Sequence, residues 1–292
     1  MIVITAPTGQ IGHQTLTGLL DSGQPIRVIA RDPARLSPQV RGRVEIVQGS
    51  HGDGDAVAEA FAGADSVLWL VPPNPQADNI EDYYLDLTRP ACDAIKSQGV
   101  KRVVGVSSLG RAYGKPAGLL SPAFAVDELF ESTGVNYRSL VMPFFMENLL
   151  GQIEAIKSQG MFLLANSADR PLATVATRDI AAAAADLLLD DSWSGQGSVP
   201  VIGPDALSPN GMADILSEVL ERPVRFQQVS GEAYKTTMLR YGMTDGFAQG
   251  LVDMATAQND GIYDAEQRTL QTAGPTGFRQ WCQEVLKPAL TA

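Results

Sequence analysis

The feature that most constrains the fold is a regular alternation of short, β-branched apolar runs with helical segments over the first 142 residues. Parallel strands need long crossover connections, usually helices, and the resulting sheet is covered on both faces. The sequence therefore predicts an α/β fold with a doubly wound, parallel, Rossmann-like sheet. The predicted strands cover residues 2–6, 26–30, 44–47, 66–71, 103–106 and 137–142, and the predicted helices cover residues 10–20, 56–62, 83–97 and 125–132.

The rhythm changes after Pro143, where helical segments outnumber strands. We divide the chain into a first domain, residues 1–145, and a smaller, mostly helical C-terminal lid, residues 146–292, with segments that return to the sheet. In the lid we predict helices over residues 147–159, 179–189, 209–220 and 276–286, and strands over residues 199–202 and 224–229.

Charge and composition limit the classes of partner. The net charge of −11 argues against nucleic acid or an anionic membrane as the main partner, and no apolar run approaches the roughly 20 residues of a membrane span. The N-terminus lacks the basic and apolar regions of a signal peptide, which predicts a cytoplasmic protein. Cys92 and Cys282 are far apart, and His51 has no second histidine or cysteine nearby, so we predict neither a disulfide nor a metal site. A small-molecule substrate is the expected partner, and homo-oligomer formation is compatible with this composition.

The turn between the first strand and the first helix reads TAPTGQIG, residues 5–12. Gly9 would let the backbone approach a pyrophosphate, and Gly12 would let the helix pack closely against the strand. Ala6 stands where the first glycine of such a turn is usual; we expect a negative φ there, with Pro7 helping to fix the turn. The turn predicts a dinucleotide-binding site in the first domain, formed by Thr8, Gly9, Gln10, Ile11 and Gly12.

The end of the second predicted strand indicates which dinucleotide is bound. An acidic residue there would bind the ribose 2′-hydroxyl of NAD, but this chain has Arg31, with Arg35 one helical turn further on. Arginines can pair with a 2′-phosphate, so NADP(H) is predicted as the cofactor. The alternative interpretation is a solvated loop in which Asp32 pairs with Arg31.

Three stretches together resemble a known family. They are the TxxTGxxG turn with the arginine after the second strand, MPFFMENLL at residues 142–150, and ATVATRDIAAAAADLL at residues 173–188. The chain resembles the NmrA-like branch of the atypical short-chain dehydrogenases over nearly its whole length. The resemblance implies a bound NADP(H). It leaves two activities open, because the family includes NADPH-dependent reductases of quinones, dyes and plant phenolics as well as redox-sensing regulators.

The family resemblance also indicates where catalytic residues would lie, and here the chain departs from the pattern. There is no YxxxK, and in the helix before the sixth strand Ala123 occupies the position of the basic residue that precedes the acid, Asp127, by four residues. The remaining weak candidates for catalysis are Ser107, Tyr113 and Lys115, the last two in a loop that is also interpreted as a mobile surface loop. Further cofactor contacts are expected at Val71, Pro72, Ser107 and Pro143. A substrate pocket is expected at Phe144, Phe145 and Met146, which are alternatively core residues.

Two functions follow from these observations. The first is an NADPH-dependent reductase that transfers hydride to a small, apolar, aromatic or conjugated acceptor such as a quinone, a dye or an activated alkene. Such acceptors need little proton chemistry from the protein, which agrees with the absence of an evident acid. The alternative is a non-catalytic NADP(H)-sensing regulator that binds a protein partner. The aromatic stretch PFFMENLLG and the long lid favour the reductase.

Overall fold

The computed structural model describes residues 1–264 and 274–291. Its centre is a seven-stranded sheet with the strand order β10-β6-β5-β4-β1-β2-β3, in which every pairing between neighbouring strands is parallel. This confirms the predicted doubly wound α/β fold. The strands of this sheet are β1 Ile2–Ile4, β2 Ile26–Ala30, β3 Glu45–Gln48, β4 Ser66–Trp69, β5 Arg102–Ser108, β6 Asn136–Met142 and β10 Gln196–Pro200.

Helices cover both faces of the sheet. The helices of this layer are α1 Gln10–Leu19, α2 Pro38–Arg41, α3 Gly54–Phe61, α4 Ile80–Gln98, α5 Ser121–Ser132 and α7 Thr177–Leu189. Helices α1 and α7 pack on the face that carries Ile2 and Ile4, whereas α3, α4 and α5 pack on the face that carries Val3. The alternation within β1 follows from the period of two along a strand, and continuous burial is the pattern expected for a strand with helices on both sides.

Strands β1 and β4 end at Ile4 and Trp69, earlier than predicted, and the side chain of Thr5 links the two chains beyond these ends. The Thr5 hydroxyl donates to the carbonyl of Leu68 at 3.0 Å and accepts from the N–H of Leu70 at 2.7 Å. Val71 therefore lies in a loop after β4 and not in the strand.

The rest of the lid contains more strand than predicted. Two small sheets accompany its helices: β11-β9-β7, and the parallel pair β12-β8. None of the described helices combines the length and apolar character needed to cross a membrane. The strands are β7 Phe144–Phe145, β8 Met161–Leu164, β9 Leu172–Val175, β11 Ala206–Leu207 and β12 Arg225–Gln228; the helices are α6 Ile153–Gln159, α8 Pro209–Leu220, α9 Gly231–Arg240, α10 Asp245–Asn259 and α11 Phe278–Trp281.

The lid has its own apolar core but remains joined to the sheet. Phe162, Leu216 and Trp281 are fully buried in a cluster separate from the two sheet-facing clusters. Strand β10 pairs along β6 from Gln196 to Pro200, and α7 packs on α1. The predicted strand at residues 199–202 is therefore the end of β10, an edge strand of the central sheet.

Candidate functional site

The turn that follows β1 has a tight, left-handed bend. The N–H of Gly9 donates to the carbonyl of Ala6 at 3.0 Å, and Ala6 has a φ of +48°. The expectation of a negative φ at Ala6 is wrong. The bend requires the left-handed conformation that a glycine would adopt freely, and an alanine pays about 1–2 kcal/mol to adopt it.

Gly12 and Gly9 are needed for different reasons. A Cβ at Gly12 would lie 2.3 Å from the carbonyl oxygen of Ala6 and 3.1 Å from that of Thr5, so any side chain would push α1 away from the turn. A Cβ at Gly9 would lie 3.4 Å from the Ala6 oxygen, and Gly9 has an ordinary extended backbone. The protein itself can therefore accommodate a side chain at Gly9. Because glycine has no side chain, the N–H groups of the turn stay accessible to a ligand from solvent.

The first turn of α1 is arranged to bind an anion. Its N-cap, Gly9, has no side chain to satisfy the free N–H groups, and the first turn contains no acidic residue. Thr8, Gly9 and Gln10 are exposed, whereas Ile11 and Gly12 are buried. Free N–H groups at the positive end of a helix are a common phosphate site. The close approach at Gly12 and this uncapped helix end fit the pyrophosphate of a dinucleotide.

Arg31 and Arg35 extend into solvent at the end of β2. In the part of the chain that the structure describes, neither guanidinium forms an ion pair. Asp32 instead accepts a hydrogen bond from the N–H of Ala34 at 3.0 Å. The alternative in which Asp32 pairs with Arg31 is therefore not formed, and both positive charges remain available to an anion.

His51 is buried beside this site. Its ring lies edge-on to Trp69, with 5.0 Å between the ring centroids, and its Nε2 has no hydrogen-bond partner. Burial lowers the pKa of His51 to about 4, although a hydrogen bond to the backbone of Leu70 partly opposes this, and the charge of Arg31 lowers the pKa further. Within residues 1–264 and 274–291 no cluster of potential metal ligands includes this histidine.

The buried His51 should make the stability of the protein depend on pH. The unfolded chain takes up a proton near pH 6.5, whereas the folded protein does so only near pH 4, so stability is full above pH 6.5 and is lost as the pH falls. We expect this histidine to lower the free energy of unfolding by about 2 kcal/mol between pH 7 and pH 5. Urea denaturation of the wild type and of His51→Phe, which retains a ring against Trp69, measures this loss as the difference between their pH dependences. Equal dependences would contradict the assignment.

The loop after β4 is attached both to α4 and to the lid. Tyr83 donates to the carbonyl of Pro72 at 3.2 Å. Thr244, the N-cap of α10, donates through its N–H to the carbonyl of Pro75 at 2.9 Å and through its hydroxyl to that of Ala77 at 2.7 Å. Val71 and Pro72 are half-buried at this edge of the sheet. The lid therefore positions the loop in which two cofactor contacts are predicted.

Ser107 belongs to a buried cluster around Asp127. The Asp127 carboxylate accepts from Ser107 and Tyr137 at 2.6 Å each and from Ser139 at 2.9 Å. Burial raises the pKa of Asp127, and the three hydroxyl donors oppose this. A Cβ at Gly105 would lie 2.0 Å from the Tyr137 hydroxyl, so the cluster depends on that glycine. Because its proton is committed to Asp127, Ser107 can accept a hydrogen bond from a ligand but has no free proton to give.

Tyr113 and Lys115 lie apart from this cluster. The Tyr113 hydroxyl donates to Asp260 at 3.1 Å, just beyond the end of α10, and the Lys115 ammonium lies 5.4 Å from the centre of the Tyr113 ring. Tyr113 is half-buried. Tyr113 thus attaches the loop to the lid through one hydrogen bond, and the interpretation as a mobile surface loop stays a prediction.

The residues after β6 divide between two cores. Pro143, Phe144 and Met146 are buried, the last two in the core of the lid, while the half-buried Phe145 packs against the core of the central sheet. Phe144 pairs with Thr174 in the β7–β9 ladder. Of the three predicted pocket residues, Phe145 retains the most exposed side chain.

A second polar network was missed by sequence reasoning. Asn166 donates to Gln258 at 2.8 Å, and Gln258 donates to the hydroxyl of Tyr263 at 3.0 Å; all three residues are buried. Burial raises the pKa of Tyr263 to about 12, although side-chain hydrogen bonds from Gln258 and Ser108 lower it. The network joins the lid to the end of β5. No sequence signal identifies it, because its members lie on segments up to 155 residues apart that only the fold brings together.

A glycine-bearing turn between the first strand and first helix of a doubly wound sheet defines a Rossmann-type protein. The chain belongs to the NmrA-like family, whose model matches residues 1–279. The resemblance of the turn and of the later stretches to this family is thereby confirmed.

The chain is similar to two reductases and to a transcriptional regulator. A (4-alkanoyl-5-oxo-2,5-dihydrofuran-3-yl)methyl phosphate reductase from Streptomyces griseus is 31% identical, covering 97% of both chains. The crystal structure of the NADPH-dependent quinone oxidoreductase QOR2 from Escherichia coli, complexed with NADPH, has a TM-score of 0.80 at 24% identity and covers 99% of both chains. The structure of NmrA, a negative transcriptional regulator in complex with NADP, has a TM-score of 0.75 at 15% identity and covers 99% of this chain and 96% of its own.

Proposed function

We propose that this protein is an NADPH-dependent reductase that transfers hydride to a small, conjugated or aromatic acceptor. The observation that carries the proposal is the uncapped turn at Gly9 together with two exposed guanidiniums after β2, Arg31 and Arg35, which form no ion pair with any described residue. The turn would hold the pyrophosphate, and the arginines would select the 2′-phosphate. Bound NADPH would supply the hydride.

The hydrogen bonds near the end of β5 support an acceptor that needs no strong acid. Ser107 and Tyr137 both donate to Asp127. Ala123, one helical turn before Asp127 on α5, has a methyl side chain, which cannot donate a proton to a substrate. Quinones, cationic dyes and activated alkenes accept hydride and can then take a proton from water. The name of the Streptomyces relative describes a ring alkene conjugated with carbonyl groups, which is an acceptor of this class.

The second candidate is a cofactor-sensing regulator that binds a protein partner. The absence of a basic side chain at Ala123 favours this candidate, because a sensor needs contacts with the cofactor but no group that donates or accepts a proton during a reaction. The named activities of the quinone and furanone reductases favour the enzyme over this candidate.

A screen of acceptors distinguishes the two. We expect NADPH oxidation, followed by absorbance, with quinones, cationic dyes and a 4-acyl-dihydrofuranone, and none with simple aldehydes and ketones. Tight binding of NADPH without turnover of any acceptor would favour the regulator. Rapid reduction of a simple ketone would show that an acid has been overlooked, and Tyr113→Phe and Tyr263→Phe would then be compared.

A further inference from the structure

A chain of hydrogen bonds leads from helix α1 into the core of the lid. The side chain of Gln14 on α1 donates to the hydroxyl of Thr177, the first residue of α7, at 3.2 Å. The N–H of Thr177 donates to one oxygen of the Glu147 carboxylate at 3.0 Å, and the indole N–H of Trp281 donates to the other oxygen at 3.0 Å. Thr177 and Trp281 are buried and Glu147 is half-buried. The chain therefore joins two helices that cover the central sheet to helix α11 of the lid.

The Glu147 carboxylate takes the place of the cap that α7 lacks. The N-cap residue of α7, Ala176, has no side chain that could accept a hydrogen bond. Glu147 instead accepts from the first free N–H of the helix, and its negative charge lies at the positive end of the helix. Because an N–H donor engages each of its oxygens, the carboxylate is fixed between α7 and Trp281. A change in the donors on Glu147 is therefore felt at the Trp281 indole.

The hydroxyl of Thr177 has one proton and two acceptors within reach. It lies 3.5 Å from the Oε1 of Gln10, which is long for a hydrogen bond. Burial raises the pKa of Glu147, and a hydrogen bond from this same hydroxyl is among the contacts that lower it. A hydroxyl donates a single proton, so it can serve Gln10 or Glu147 but not both fully. The buried Oε1 of Gln14 accepts from no described residue, so the network is not locked in one arrangement.

The end of this network that faces solvent is Gln10. Its side chain is exposed in the first turn of α1, next to the N-cap Gly9. Within the described part of the chain, its side-chain nitrogen donates to no other group, so a phosphate in the turn can accept from it. An amide that donates through its nitrogen becomes a stronger acceptor at its oxygen, because hydrogen bonds in a chain polarise one another. A ligand in the turn therefore favours the arrangement in which Thr177 donates to Gln10.

We infer that Thr177 and Glu147 are positioning residues that couple the turn after β1 to the core of the lid. A ligand on the Gln10 amide draws the Thr177 proton away from Glu147. The carboxylate, with one donor fewer, then binds the Trp281 indole more strongly. The inference rests on the proposed function, because the ligand in the turn is the dinucleotide proposed there. Coupling of this kind is reciprocal, so removal of the Thr177 hydroxyl must also weaken the ligand.

The test follows the indole N–H of Trp281 by nuclear magnetic resonance while NADP⁺ is added to the full chain. Labelling with ¹⁵N-tryptophan gives one indole cross-peak for each of the three tryptophans, and Trp281→Phe assigns the relevant one. We expect NADP⁺ to move the Trp281 proton resonance downfield, because a stronger hydrogen bond deshields its proton. The indole of Trp193 donates to the carbonyl of Leu187 at 2.9 Å, outside this network, and its resonance should stay in place.

Thr177→Val removes the hydroxyl and retains the backbone N–H that donates to Glu147. We expect its Trp281 resonance to lie downfield already without ligand and not to respond to NADP⁺. Calorimetry should show NADP⁺ bound about two- to tenfold more weakly, the range found for residues that transmit coupling. Thr177→Ser keeps a hydroxyl and should respond as the wild type does. Thr15→Val is the matched control, because Thr15 is buried on α1 and its hydroxyl has no partner among the described residues.

Gln10→Met provides a second test that leaves the buried part of the network in place. Gln10 is exposed, so the variant should fold normally. Methionine offers neither the amide oxygen nor the amide nitrogen, and the Thr177 proton therefore stays with Glu147. The Trp281 resonance should begin at its wild-type position and remain there at saturating NADP⁺, whereas in Thr177→Val it begins downfield.

The outcomes separate this inference from the proposed function. If NADP⁺ binds to the wild type and the Trp281 resonance does not move, the inference is overturned while cofactor binding stands. A response of Thr177→Val or Gln10→Met equal to that of the wild type would also overturn it, because the effect would then reach Trp281 through other contacts. If calorimetry detects no binding of NADP⁺ to the wild type, the proposed function fails together with the inference.

Discussion

Gly12→Val is expected to abolish NADP(H) binding while α1 and the sheet remain folded. A Cβ at this position would lie 2.3 Å from the Ala6 carbonyl, and the remaining methyl groups would force the helix further from the turn. Loss of two charge-assisted hydrogen bonds, each worth about 1.5–3 kcal/mol, would lower the affinity on the order of a hundredfold or more. Calorimetry with NADPH measures the loss, and circular dichroism checks the fold. Gly18→Val is the matched control, because a Cβ there meets no atom within 4 Å.

Two results bear on this prediction. Native circular dichroism with unchanged NADPH affinity in Gly12→Val would show that the turn is not the cofactor site. If the valine variant fails to fold, Gly9→Ala provides the second test, since its Cβ meets the Ala6 oxygen only at 3.4 Å. That variant should fold normally and still lose affinity, because the added methyl group occupies the space through which a pyrophosphate approaches.

Arg31→Ala is expected to weaken NADPH binding far more than NADH binding. A charge-assisted contact to phosphate contributes about 1.5–3 kcal/mol, which corresponds to roughly ten- to a hundredfold in affinity. Because Arg31 is exposed, the lower part of that range is expected. Titration of both cofactors into wild type and variant measures the two changes separately.

Arg41→Ala is the matched control for the Arg31 variant. Arg41 is also an exposed arginine without an ion pair in the described residues, but it is the last residue of α2, whereas Arg31 directly follows β2. It should leave the ratio of the two affinities unchanged. An equal loss for NADPH and NADH in Arg31→Ala, or a wild type that prefers NADH, would contradict the assignment of Arg31 to the 2′-phosphate.

The elements that sequence analysis identified are those whose signals are local. Strand β2 matches its predicted bounds, residues 26–30, and α8 begins at the predicted Pro209 because Ser208 caps it and proline is favoured in a first turn. The lid strands β7 and β8 were missed because runs of two to four residues carry no periodicity. Helices α9 and α10 went unassigned; α9 buries no residue, so it lacks the apolar stripe by which helices are identified.

The candidate site was predictable to a similar extent. The glycine spacing located the turn, but the φ of Ala6 depends on how tightly α1 packs against it, and that is a tertiary property. Asp127 was singled out only as a family position. Its partners Tyr137 and Ser139 lie on one face of β6, and no sequence rule indicates that their hydroxyls meet a carboxylate on α5.

The position of β10 and α7 in the chain has a consequence for synthesis on the ribosome. The face of the sheet that carries Ile2 and Ile4 is covered by α1 and α7. Strand β6 lies between β5 and the edge strand β10. A nascent chain that has emerged only as far as residue 145 therefore exposes an apolar face and an unpaired strand edge, both of which promote aggregation. Completion of this sheet must wait until about residue 200 has left the exit tunnel. During that interval one face and one edge of the central sheet lack the elements that cover them in the complete chain.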